Sequence, residues 1–304
     1  MKKQTQGPVI LNSISEMHRA MGIAEPEHPL ISIVNFSEIA QHSDILEHGL
    51  VLNVYMIALK KDFKGKVKYG QNFYDFDEGM MSFIAPGQIC YQNEPGYDPL
   101  DGSMLIFHPD FLRGYALDKN IKSFEFFSYA ANEALYLSKK EEVMIESIFS
   151  NIAQEYHANI DSFSQDVIVS HIELLLNYSN RFYNRQFITR KNVNNDLLTK
   201  LEAVMEDYFN AENNQGLPTV KELAEKLNVS SGYLSDMLRT QTGQNAQQHI
   251  HNKLIEKAKE ILTTTPLSVS EIAYRLGFEY PQSFSKLFKT RTNVSPLEYR
   301  KMFN

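Results

Sequence analysis

The 304-residue chain contains no tryptophan and a single cysteine, Cys90. One cysteine excludes an internal disulfide, which fits a reducing compartment. No apolar run approaches the roughly 20 residues that a membrane-spanning helix needs. The opening Met1–Pro8 stretch carries two lysines but no hydrophobic run long enough for a signal peptide. A cytoplasmic protein that does not enter a membrane is expected. Metal-ligand patterns are also scarce. His42 and His48 are isolated, and His249-Ile-His251 falls on a helical stretch, where i and i+2 point apart. Two histidines without a third ligand make a poor metal site. No catalytic residue, metal or cofactor is therefore assigned. Basic charge is short as well, with a net of −7. That balance looks wrong for a nucleic-acid binder until the chain is divided. Residues 216–304 hold 12 Lys and Arg against 8 Asp and Glu, a net of +4, and the remainder holds 18 against 29, a net of −11. The asymmetry puts any polyanion-binding surface at the C-terminus.

That same region says nearly the same thing twice. Val220, Glu222, Ala224 and Leu227 recur 49 residues later as Val269, Glu271, Ala273 and Leu276. Leu234, Ser235, Leu238 and Thr242 recur 50 residues later as Phe284, Ser285, Phe288 and Thr292. Each copy reads as two helices around a tight turn, over 219–243 and 268–293. Thr219 and Ser268 have the N-cap pattern with a glutamate three residues on. Asn228 and Gly277 suit the left-handed position that ends the first helix. In the second helix of each copy an i, i+3, i+4 stripe (Leu234, Met237, Leu238; Phe284, Leu287, Phe288) is expected to be buried. The opposite face presents polar groups. A short helix, a turn and a helix with a hydrogen-bonding face is the helix-turn-helix plan for reading a major groove.

Chemistry sorts the expected contacts to double-stranded DNA. Gln282 and Arg239 suit base edges, glutamine for adenine and arginine for guanine. Ser231, Tyr233, Ser235, Ser283, Ser285, Lys286 and Lys289 suit bases or phosphates. The helix N-termini at Ser268 and Ser295 offer backbone N–H groups to phosphate. Asp236 is unfavourable near phosphate and would select a cytosine or exclude other sequences. A helix from about Asn245 to Thr263, roughly 28 Å long, is expected to bury Ile250, Leu254, Ile255, Ala258, Ile261 and Leu262 against both motifs. It would set the two reading helices in successive grooves about 34 Å apart.

The runs Ser270-Glu-Ile-Ala-Tyr-Arg-Leu-Gly-Phe278, Gln282-Ser-Phe-Ser-Lys-Leu-Phe-Lys289 and Val294-Ser-Pro-Leu-Glu-Tyr-Arg300 resemble the DNA-binding domain of the AraC/XylS family of bacterial transcription regulators. The likeness covers roughly a third of the chain. Asn293 stands where that family usually has glycine, a mild change because asparagine tolerates positive φ. Leu254 stands where many members have an arginine, so a phosphate contact there is not expected. The resemblance implies recruitment of RNA polymerase, more often in activation than in repression, in response to a small-molecule effector.

Between Ile31 and Phe107 the chain shows short β-branched and aromatic runs separated by turn signals such as Lys64-Gly65, Ala85-Pro-Gly87 and Glu94-Pro-Gly96. These suggest a small barrel or sandwich. The segment Phe76-Asp-Glu-Gly-Met-Met-Ser-Phe-Ile-Ala-Pro-Gly-Gln88 resembles the cupin-like effector domain of the same family. Tyr55, Phe73, Tyr74, Phe76, Phe83 and Tyr91 are the candidate lining of an effector pocket. Two helices follow. One starts at the Ser138–Glu141 capping box and carries Ile145, Ile148, Phe149, Ile152 and Tyr156. The other spans about Ser162 to Tyr183. Its stripe of Val167, Ile168, Ile172, Leu175 and Leu176 is the candidate homodimer contact, as the resemblance implies for such a helical pair, with an intrachain helical hairpin as the alternative.

The expected fold is thus α+β in two domains. Residues 1–184 form a cupin-like β-barrel and helical hairpin, 185–195 a polar linker, and 196–304 an all-α domain with two helix-turn-helix motifs joined by a linker helix. The function expected is that of a DNA-binding regulator. The rivals are a constitutive DNA-binding protein whose barrel senses nothing and a cupin-type enzyme with a DNA-binding tail.

Overall fold

The computed structural model describes residues 9–39, 50–61, 66–69, 72–75, 79–90, 101–129, 133–158, 161, 163–189, 191–210 and 216–303. The chain divides into two compact units, Met1–Gln186 and Phe187–Asn304.

The first unit holds β1 (Val9–Leu11), α1 (Ile14–Met21), β2 (Ile31–Asn35), β3 (Leu50–Leu52), β4 (Tyr55–Lys61), β5 (Lys66–Tyr69) and β6 (Asn72–Asp75). These are followed by β7 (Met80–Ile84), β8 (Gln88–Cys90), β9 (Asp101–Phe107), α2 (Ala116–Asn120), β10 (Leu135–Tyr136), α3 (Lys139–Tyr156) and most of α4 (Ser164–Thr189). An antiparallel sheet runs in the order β10-β7-β4-β9-β2, a smaller sheet in the order β1-β3-β8, and β5 pairs with β6 alone. Each strand order has two ends. Among the described residues the strands form sheets with free ends, and no closed barrel is found. Turn signals between short strands mark where strands are, but closure depends on which edges pair. The apolar run Leu50–Leu59 holds parts of two strands, broken at Asn53 and Val54.

Alternation along the strands decides what each face covers. On one face Val34, Ala58, Met104 and Ile106 pack with Ile14 and Met17 of α1 and with Leu50 and Leu52 of β3. On the other face the rings of Phe83, Phe126 and Tyr183 meet, with Phe126 stacked on Tyr183 at 5.4 Å. The aromatic segment 124–129 is thus not a loose connection: Phe126, Phe127 and Tyr129 are core residues.

Helix α3 begins at the Ser138 capping box. It buries Ile145, Ile148, Phe149, Ile152 and Tyr156, the stripe read from the sequence. Helix α4 buries Ile168, Ile172, Leu175 and Leu176 within the chain, which leaves Val167 as the one exposed member of the candidate dimer stripe. Four of those five residues are therefore corrected from surface to core. A stripe of helical spacing shows that a face is buried, not against what. The segment 185–195, expected as a linker, is helical on both sides of residue 190, because α4 continues to Thr189 and α5 (Lys191–Asn210) begins at Lys191.

The second unit is helical throughout its described residues. It comprises α5, α6 (Val220–Leu227), α7 (Ser231–Thr242), α8 (Ala246–Thr264), α9 (Val269–Arg275), α10 (Pro281–Thr292) and α11 (Pro296–Lys301). Among the described residues no helix is long and apolar enough to cross a membrane.

Candidate nucleic-acid interface

Two helix-turn-helix motifs, α6–α7 and α9–α10, flank α8. Helix α8 buries Ala246, Ile250, Leu254, Ile255, Ala258, Ile261 and Leu262, so its apolar stripe faces inward along its 19 residues, or about 28 Å. Buried Leu254 offers no phosphate contact. Arg300 of α11 ties down the C-terminal end of α8, where its guanidinium donates to the carbonyls of Leu262 at 3.0 Å and Leu267 at 2.6 Å. The small Ala224 and Ala273 are buried beside Leu223 and Ile272 where the helices of each motif cross.

The turns show why each terminating residue is what it is. Asn228 sits at φ 56 and closes α6, and Asn293 sits at φ 64 and closes α10. Gly277 follows α9 at φ 90, and a Cβ there would lie 2.2 Å from the Gly216 carbonyl oxygen. Only glycine meets both conditions. The same Gly216 carbonyl accepts a hydrogen bond from Tyr208 at 3.2 Å, so α5 and the second motif converge on one backbone segment.

Helix starts divide into two kinds. Thr219–Glu222, Ser268–Glu271 and Ser295–Glu298 are reciprocal capping boxes. Their hydrogen bonds hold all three glutamates below the usual carboxylate value: for Glu222 and Glu298 mainly the backbone N–H of the cap residue, for Glu271 mainly the Ser268 side chain. Each carboxylate accepts the backbone N–H of its own cap residue and sets a negative charge at the helix start. Ser268 and Ser295 are therefore placed as caps whose own glutamates compete with a phosphate. The two second helices differ. Helix α7 is capped by Ser230 and α10 opens on Pro281 without a side-chain cap, and neither carries an acid in its first turn. Their positive N-terminal dipole ends are left uncompensated.

The outward faces of α7 and α10 are unlike. On α10, Gln282, Ser283, Lys286 and Lys289 are exposed, together with Arg291. The helix has three cations and no acid. Ser285 is half-buried and donates its hydroxyl back to the Pro281 carbonyl at 3.0 Å. On α7, Ser231 and Ser235 are half-buried, and Arg239 is 53% exposed but paired with Asp236 at 2.8 Å. Tyr233 is corrected: it is 2% exposed and its ring meets Phe187 edge-on at 5.1 Å. Burial pushes its hydroxyl pKa well up. The cause lies in helix spacing, because Tyr233 precedes the buried Met237 by four residues and shares its face.

Sequence reasoning passed over Tyr280 and Arg291. Tyr280, immediately before α10, is 64% exposed. Arg291 lies 3.4 Å from Nδ1 of His251 on α8. A large aromatic placed before a polar helix start, and a third cation on the same helix, were the available signals. His249 instead meets Thr242 at 2.8 Å, so the two histidines of the His-x-His face different partners. Among the described residues no three His, Cys, Asp or Glu side chains gather as metal ligands.

Of the effector candidates, Tyr55 and Phe83 are buried in the aromatic core, with Tyr55 stacked on Phe107 at 5.1 Å. Burial, helped by Asp118, raises the Tyr55 hydroxyl pKa. Phe73 and Tyr74 lie on β6, with side chains outside the described residues; Phe76 and Tyr91 fall outside them altogether.

A helix-turn-helix domain model matches residues 223–302. Over 103 residues the chain is 35% identical to the HTH-type transcriptional activator RhaS of Escherichia coli, a span of 34% of this chain and 35% of that one. Over 117 residues it is 28% identical to histidine kinase P4 of Formosa agariphila, 38% of this chain and 8% of that one. The chain thus spans little more than a third, or less, of the length of these curated relatives. Among solved structures, the C-terminal domain of the two-component response regulator yesN from Fusobacterium nucleatum is 36% identical, covering 33% of this chain and 93% of that one with a TM-score of 0.30. The C-terminal domain of the response regulator AraT from Geobacillus stearothermophilus is 32% identical, covering 35% and 84%, with a TM-score of 0.31. The C-terminal domain of the chain is thus a helix-turn-helix domain of the AraC/XylS type.

Proposed function

We propose that the protein is a sequence-specific DNA-binding transcription regulator. The observation that carries this reading is the pair of second helices without an acid in their first turn, α7 and α10, on a common α8 support, with α10 exposing Gln282, Lys286 and Lys289 together. Gln282, in the first turn of α10, reads a base edge. Lys286, Lys289 and Arg291 bind phosphate, and Ser283 serves either. Ser231, Ser235 and Arg239 do the corresponding work on α7, with a smaller contribution to affinity because Asp236 already neutralises Arg239. Binding is strongly salt-dependent, since the cations act by releasing counterions from DNA.

The relative RhaS is by name an activator, and that supports activation, through contact with RNA polymerase, as the mode here. The N-terminal unit is assigned effector sensing on a cupin-like, opened sheet framework, together with homodimerisation. The dimer surface is drawn from the exposed apolar residues Phe163, Val167 and Leu174. The protein acts in the cytoplasm and not as an enzyme.

The test is selection of bound sequences from random DNA by the full chain at fixed salt. Two short boxes about one helical turn apart are expected, duplicated if the protein binds as a dimer. Enrichment of no sequence, with only salt-sensitive retention, would overturn the reading.

A further inference from the structure

A cavity of about 190 Å³ lies between the five-stranded sheet and α3. It is on the side of the sheet opposite the α1 core, and neither Tyr55 nor Phe83 is among its lining residues. Its floor is a row across three strands: Asn35 of β2 opposite Ser103 of β9, itself opposite Leu59 of β4. Its roof is one face of α3, where Glu146, Phe149, Ser150 and Ala153 recur at helical spacing, with His157 just beyond the helix end.

The polar groups of the wall hold one another in place. Ser103 donates to Asn35 Oδ1 at 3.1 Å and Asn35 donates to Glu38 at 2.7 Å. His157 Nδ1 is 2.8 Å from Glu27 Oε1. Across the gap, the Lys61 ammonium of β4 pairs with the Glu146 carboxylate of α3, and the two side chains keep only 28% and 31% of their exposure. The Glu146 hydrogen bond raises the Lys61 pKa, so the ammonium is charged at neutral pH. A lysine ammonium has three donors and a carboxylate two acceptor oxygens, so this pair retains bonding capacity on both partners.

We propose that this cavity binds a small zwitterion of the α-amino-acid type, with its carboxylate on Lys61, its ammonium on Glu146, and its side chain against Phe149, Leu59 and Ile33. The charge logic selects the class. An anion inserted here satisfies Lys61 but leaves Glu146 half-buried without its partner. A cation does the reverse, and an uncharged molecule offers neither charge a replacement. A ligand with both charges on one carbon exchanges a single intramolecular ion pair for two. The volume selects the size, because pockets for drug-sized ligands measure roughly 300–1,000 Å³ and this cavity is smaller. Ligand entry separates Lys61 from Glu146, the ion pair that links β4 to α3.

As the source of an effector signal the inference rests on the regulator reading, but the binding event does not, so it is measured on the full chain without DNA. The standard L-amino acids are screened at millimolar concentration by thermal unfolding, with hits measured by calorimetry. For the tightest, the decarboxylated amine and the deaminated acid serve as one-charge probes. At least one amino acid is expected to raise the melting temperature, with both one-charge probes at least about tenfold weaker. Lys61→Met and Glu146→Gln are each expected to abolish binding, and Val143→Ala, on the exposed face of α3, to leave it intact. The double variant Lys61→Met with Glu146→Leu replaces the pair by apolar side chains and keeps the fold measurable by circular dichroism; it too is expected not to bind. No shift with any amino acid, equal binding of a one-charge probe, or binding retained by the folded double variant would overturn the proposal. Amino-acid binding that leaves DNA affinity unchanged would preserve the site and sink effector control. DNA affinity that responds to another small molecule, while no amino acid binds, would do the opposite.

Discussion

The two helix-turn-helix motifs share a scaffold and differ in what they show to solvent. Leu223, Ala224, Leu234 and Leu238 of the first are buried just as Ile272, Ala273, Phe284 and Phe288 of the second are. The reading faces do not repeat. Where α7 has Asp236 and Arg239 joined in an ion pair, α10 has Lys286 and Lys289. Where α7 buries Tyr233, α10 exposes Ser283. The turns differ too, with Asn228 in the first and Gly277, pressed against Gly216, in the second. Packing constrained the interior of both copies alike and left their surfaces free to specialise. On the proposed reading the second motif supplies most of the phosphate affinity, and the first contributes geometry and selectivity with little net charge.

Substitutions at equivalent positions sharpen that contrast. The largest effect is expected at Tyr233. Tyr233→Ala removes a buried ring and is expected to cost on the order of 3 kcal/mol, whereas Ser283→Ala changes stability by less than about 0.5 kcal/mol; denaturant unfolding measures both. Next, Gly277→Ala adds a Cβ against the Gly216 carbonyl at positive φ and is expected to cost about 2–3 kcal/mol. Gly243→Ala, at φ 74 with open space around it, is expected to cost about 1 kcal/mol. Gln282→Ala is expected to weaken DNA binding by about tenfold and to relax base preference in one box only, read from selected sequences.

The smallest effect is that of pH. Glu222, Glu271 and Glu298 have their pKa values lowered by their caps. Their stabilisation is complete above the ordinary carboxylate value and is lost as pH falls through the lowered ones. Unfolding of Thr219→Ala, which lacks one cap, is expected to show a shallower acid dependence than the parent.

Much of the C-terminal unit was legible because two copies of one pattern check each other. Capping boxes, the αL residues Asn228 and Asn293 and the buried stripe of α8 all follow from local rules that a repeat reinforces. Tyr233 was misread because its amphipathic side chain suits a groove as well as a core; its fourth-neighbour relation to Met237 was the deciding signal. The N-terminal unit offered no second copy. Strand runs and helix stripes were visible there, yet neither the edges of an open sheet nor the inward use of Ile168, Ile172, Leu175 and Leu176 is encoded locally. The Lys61–Glu146 bridge joins residues far apart in the chain, and no short-range pattern announces it.

The division of labour between the motifs is tested most directly by the salt dependence of DNA binding for three full-length proteins: wild type, Lys286→Ala with Lys289→Ala, and Arg239→Ala. Each phosphate contact contributes about 0.9 to the slope of log affinity against log salt. The double variant is expected to lose roughly two such contributions and Arg239→Ala less than one. Equal loss from both, or an unchanged slope in the double variant, would contradict the assignment of phosphate affinity to α10.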